Sequence, residues 1–142
     1  MAADTKFNQF VEDLGKGYHA FQTHTFKVML TNTAPNASAN KIKGDITEIS
    51  AGNGYTAGGP ATTISNTTQS AGVFKPIAAD VTIAASGGAV GPFRYAVLYN
   101  DSQSSPVKPL VAFWDYGSAV TLNSGESILV DFDGTNGIFS LT

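Results

Sequence analysis

The chain has 142 residues, 42% of them hydrophobic and only 13% charged, with a net charge of −3 and no cysteine. That length suits one domain, residues 1–142, able to bury roughly two-thirds of the surface its unfolded chain exposes. The scattered Lys and Arg argue against a phosphate-gripping nucleic-acid surface, and the missing cysteines exclude disulfides and thiolate chemistry.

In chain order, "MAADTKFNQFVEDLGKGYHAF" carries acids where a secretory signal needs an unbroken apolar run. Phe7, Phe10, Val11, Leu14 and Tyr18 recur at helical spacing. They predict one amphipathic helix over about 5–15, capped by Asp4 or Thr5 and stopped by Gly15 and Gly17. From residue 25 onward the pattern is strand and turn. "TFKVMLTN" alternates Phe26, Val28 and Leu30 against Lys27, Met29 and Thr31, which predicts a half-buried strand. "DITEISAGNGYTAGG" (45–59) crowds Gly, Asn and Thr around Tyr55; it predicts a tight turn and a long loop whose only large anchor is that tyrosine.

Further strands are predicted at 61–68, 72–86 (split at Pro76), 93–100, 109–116, 119–122, 127–132 and 137–142, each bounded by Gly, Pro, Asn or Asp. Segments 95–99 and 110–114 are apolar without clean alternation, so they predict central strands covered on both faces, or strands at a contact between subunits. Their aromatics, Phe93, Tyr95, Tyr99, Phe113, Trp114 and Tyr116, supply the large core side chains. No membrane-spanning segment of about 18 apolar residues is present. The expected fold is all-β: an antiparallel β-sandwich of jelly-roll or Greek-key type with one short N-terminal amphipathic helix.

Motifs for chemistry are weak. "DFDGTNG" (131–137) superficially suggests a calcium loop, but it lacks the closing bidentate Glu and reads as a hairpin turn. Asp131 and Asp133 share a strand parity at which a glycosidase pair would sit, and equally fit a solvated edge. His19 and His24 have no third ligand at metal spacing and read as structural or surface residues. "SGGAVG" (86–91) lacks the Lys-Ser/Thr of a phosphate loop, and no serine lies in a nucleophile elbow. The expectation is a non-enzyme with no metal and no cofactor.

The segments "KVMLTNTAPN", "DITEISAGNGYTAGG", "GGAVGPFRYAVLYND", "FWDYG" and "ESILVDFDGTNGIFSL" together cover most of the chain from Phe7 to Leu141. The set resembles a family of short tailed-phage virion structural proteins of the capsid decoration (cement) type. That resemblance implies a β-sandwich bound as a homo-oligomer to the major capsid protein on the outer surface of the virion, made in the host cytoplasm, with no nucleic-acid or membrane partner. Candidate capsid or subunit contacts are Phe7, Phe10, Val11 and Leu14 on the helix and Tyr55 in the glycine-rich loop. The helix face has a second reading, as a cover for one end of its own sandwich. The alternative function is a tail or head-fibre component that binds host-surface carbohydrate through exposed aromatics such as Tyr55, Tyr116 or Trp114.

Overall fold

The computed structural model describes residues 4–142. In order, the elements are β1 (Thr5–Lys6), α1 (Asn8–Gly15), β2 (Phe26–Thr31), β3 (Ala61–Thr62), β4 (Ile64–Ser65), β5 (Ile77–Ala78), β6 (Val81–Ala84), β7 (Val90–Asn100), β8 (Leu110–Leu122) and β9 (Ser127–Val130). Five strands form one antiparallel sheet, ordered β1-β8-β7-β2-β3, and β4–β5 and β6–β9 form separate two-stranded ladders. The described residues are thus mostly β with a single α-helix.

The helix starts later than its periodicity implied. Thr5 and Lys6 pair with Phe113 and Ala112 of β8 instead of opening the helix. Phe7 is the N-cap, without a side-chain cap bond, so neither Asp4 nor Thr5 performs that task. The other end follows the sequence: Gly17 N–H donates to Leu14 O at 3.2 Å and Tyr18 N–H to Asp13 O at 2.9 Å, a Schellman stop.

β2 departs from the half-buried reading. Met29 and Thr31 are as buried as Phe26, Val28 and Leu30, because both faces of the sheet are covered. On the face bearing Phe26 and Trp114, Phe21 stacks on Phe26 at 4.6 Å between centroids and Phe132 meets Trp114 edge-on at 5.0 Å. On the face bearing Thr31 and Tyr99, Thr31 Oγ1 donates to Thr47 O and Lys43 Nζ lies 5.8 Å from the Tyr99 ring centroid. The same double cover explains why Ala96, Val97, Leu98 and Tyr99 are all fully buried, as the unbroken apolar pattern of 95–99 implied.

Four other expectations change. Segments 109–116 and 119–122 join as one strand, because β8 bends at Gly117 and the β7–β8 register shifts near Phe93 rather than breaking. Segment 61–68 becomes two dipeptides because the chain changes partner, from β2 at Ala61–Thr62 to β5 at Ile64–Ser65, before Asn66 turns at φ +57°. Segment 131–137 is not the turn of a hairpin between 127–132 and 137–142, since β9 pairs with β6 and Leu141 bridges Phe74. Asp133 Oδ1 instead accepts from Thr135 and Asn136 N–H, both at 2.8 Å, and Ile138 and Phe139 are buried in succession, which an alternating strand does not allow. Segment 72–86 does not divide simply at Pro76: only isolated bridges at Val73 and Phe74 precede it, and β5 and β6 both follow it, parted at Ala79–Asp80 where the chain changes partner from β4 to β9.

Candidate functional site

The glycine-rich loop resolves into an edge cover for β2. Asn53 and Gly54 both take positive φ, +56° and +102°, and close a two-residue hairpin in which Gly52 N–H donates to Tyr55 O at 2.7 Å. The chain then runs beside the outward edge of β2. Val28 N–H donates to Pro60 O at 2.9 Å, Ile49 N–H donates to Leu30 O at 3.1 Å, and Leu30 N–H donates to Tyr55 Oη at 3.0 Å. A side-chain hydroxyl here takes the place of a strand partner. The arrangement leaves no run of bare backbone groups on β2 for another chain to pair with.

Glu48 ties this cover together. Its Oε1 accepts from Tyr55 Oη–H and from Gly58 N–H, each at 2.6 Å, while its Oε2 accepts from Lys43 Nζ at 3.1 Å. Tyr99 Oη–H donates to Gly58 O at 2.7 Å from the sheet below. Burial, with the Glu48 carboxylate second, pushes the Tyr55 hydroxyl far above the usual phenol range, so it stays a donor at every working pH. Tyr55 was legible as an anchor; Glu48 was not, since nothing in "DITEIS" marks which acid turns inward. Removing one oxygen tests the network. Tyr55→Phe is expected to cost about 2 kcal/mol, because the buried Leu30 N–H and Glu48 each lose a partner; a urea unfolding series reads it.

A second polar knot joins the N-terminal segment to the sheet. Asn100, fully buried at the end of β7, accepts at Oδ1 from Ser102 and Gln103 N–H. Its Nδ2 lies 3.2 Å from His19 Nδ1, 2.8 Å from His24 Nδ1 and 3.3 Å from Tyr18 O. The His19 ring sits against Phe10, Phe21 and Phe26, with centroids 5.1, 6.0 and 6.0 Å away. Burial, and then the neighbouring His24, hold the His19 pKa down to about 4. The unfolded chain therefore binds a proton between about pH 6.5 and pH 4 that the folded chain refuses, so stability falls as pH drops through that window. Between pH 7 and pH 5 the loss from His19 is expected to be about 2 kcal/mol, read as a drop in unfolding midpoint that His19→Gln abolishes.

The predicted contact residues divide. Phe7, Phe10 and Tyr55 are buried inside this chain, and Leu14 is packed against the same core. As contacts for a second molecule they are covered, and the reading of the helix as a cover for its own domain is the one the packing supports. Val11 is 66% exposed. Beside the helix, Gln9, Glu12, Asp13, Tyr18, Lys41 and Ile42 line an open cleft of about 340 Å³. Asp131 and Asp133 lie beyond β9 on exposed chain, not side by side on a strand. Among the described residues, no three His, Asp or Glu side chains are grouped to hold a metal ion, and no helix is long and apolar enough to cross a membrane.

No protein-family model, no curated protein and no solved structure matches this chain.

Proposed function

We propose that the chain is a non-catalytic building block, a bacteriophage capsid decoration protein that binds the outer surface of the assembled capsid lattice as a homo-oligomer and stabilises the virion. One observation carries the reading: the polar and aromatic side chains that could make a ligand site are engaged in fixing the fold. Glu48, Tyr55 and Tyr99 staple the β2 edge, and His19, His24 and Asn100 lock the N-terminal segment. What faces outward is a neutral-polar surface with four large apolar residues, Val11, Val107, Leu129 and Leu141. Such a module suits repeated modest contacts on a lattice, where each further site is engaged at high effective concentration once the first has docked.

The same proposal covers the finer architecture. The main sheet, faced by Phe132 from the chain after β9 and by the 43–58 segment, is a β-sandwich of jelly-roll or Greek-key type whose second layer is reduced to short ladders and loops.

The carbohydrate-binding alternative has less to stand on. Tyr55 and Trp114 are 2% and 5% exposed, which leaves Tyr116 as the remaining aromatic of the three. Its hydroxyl is enclosed, with no hydrogen-bond partner among the described residues, and burial pushes it up to about 12.

The test is co-sedimentation of the purified protein with capsids lacking it. Val11→Glu is expected to weaken capsid association at least tenfold with an unchanged melting temperature, whereas Tyr116→Ala is expected to leave it unchanged. Failure of the wild-type protein to pellet with capsids, together with glycan binding lost in Tyr116→Ala, would reverse the assignment.

A further inference from the structure

The N-terminal arm, residues 5–24, is fastened to the sheet at few points. Thr5 and Lys6 make the only strand pairing, Phe7 N–H donates to Val111 O, and Asn8 N–H donates to Ala37 O. Beyond these, Asn8 Nδ2 donates to Ser38 Oγ at 3.3 Å, the Phe7 ring lies 5.2 Å from that of Phe113 in β8, and the Phe10–His19–Phe21 group is pressed on Phe26 and Phe139, closed off by the Asn100 amide. That closure has one weak member. His19 Nδ1 faces an amide N–H donor, and His19 Nε2 is buried with no hydrogen-bond partner among the described residues.

We propose that His19 is an acid-sensitive latch: its protonation frees the arm from the sheet and uncovers Phe7, Phe10 and Phe21 while the β2–β7–β8 sheet stays folded. The physical reason is a donor conflict. A proton on Nδ1 would set two N–H groups against each other at 3.2 Å, and the positive charge would lie among phenylalanine rings with no anion to answer it. Every packed neighbour bears this out. From α1 comes Phe10, while Asp13 receives its hydrogen bond from Gln9; from β2 comes Phe26, while Lys27 pairs with Asp101; from β7 comes the neutral Asn100; and from the C-terminal segment the apolar Phe139 packs on Phe10 and Phe21, the rings that flank His19. The titratable group at hand is His24, whose Nδ1 shares the same amide and accepts from Ala20 N–H at 3.3 Å. It offers no counter-charge. Opening the arm returns His19 to water, so each proton taken up favours the open form.

The latch rests on this geometry and holds whether or not the chain decorates a capsid. Residue-resolved hydrogen exchange between pH 7 and pH 5, corrected for intrinsic rates, tests it. Arm amides such as Lys16, Tyr18 and His24 are expected to lose about 20-fold in protection, the amount by which a histidine shifted from its ordinary value to about 4 changes an opening equilibrium. Val97 and Leu98 of β7, which exchange only on whole-chain unfolding, are expected to stay far better protected than the arm at both pH values, although they feel the same loss of global stability. His19→Gln should remove the pH dependence of the arm and His24→Gln should preserve it. An arm whose protection does not change with pH, an arm as well protected as the sheet, or a slope that survives in His19→Gln would each overturn the latch. If His19→Gln does not fold, the comparison of arm with sheet in the wild-type protein still decides.

Discussion

Phe10→Ala is expected to destabilise the protein by about 4 kcal/mol, the middle of the range for removing a buried ring. Phe10 is 1% exposed and its ring meets His19 at 5.1 Å, Phe139 at 5.4 Å and Phe21 at 6.2 Å. These neighbours come from two distant segments, the turn after α1 and the C-terminal segment, each held by other contacts, so they cannot collapse together into the space the ring leaves. One turn of the same helix supplies the control. Val11→Ala removes exposed surface only and should change stability by less than about 0.5 kcal/mol. Urea unfolding of the pair checks both; equal, small losses would mean that α1 does not pack as described.

Gly59→Ala is the second large effect, expected at about 3 kcal/mol from two costs that add. Gly59 sits at φ +77°, a conformation that penalises any Cβ, and a Cβ there would overlap the carbonyl oxygen of Val28 in β2. Backbone cannot move aside as a flexible side chain can, and a shift of β2 would disturb its ladder with β7. The Val28 N–H to Pro60 O bond, one residue on, would be lost with the loop's approach. Gly44→Ala is the matched control, since its new methyl would meet only Ile42 Cδ1 at 3.8 Å. A stability loss confined to Gly59 supports the edge cover. Similar values for the two glycines would contradict it.

Much of this was readable from residue pattern, and the failures have physical causes. The helix, the central strands and the role of Tyr55 follow from periodicity and from the lack of any other large residue in the loop. The strands after residue 60 were harder, because two-residue ladders such as Ile64–Ser65 with Ile77–Ala78 carry no period to detect. β2 looked half-buried because Thr31 is polar, yet its hydroxyl is buried through a bond to Thr47 O, a partner 16 residues away. Glu48 and Asn100 were missed for the same reason: each is an ordinary polar residue whose importance comes from groups assembled by the fold. Arg94 and Asp115 show the opposite case. They form a two-point ion pair at 2.8 and 3.1 Å across β7 and β8, yet both are about 40% exposed, so solvent screens the pair and Arg94→Ala should leave the unfolding midpoint nearly unchanged.

The central claim, a structural protein of the capsid surface, is tested most directly by counting copies. Cryo-electron microscopy of the assembled particle, with gel stoichiometry against the major capsid protein, is expected to place this chain on the outer capsid at near-equimolar abundance, with the arm folded on its own sheet. A few copies confined to the tail, or none on the particle, would contradict it.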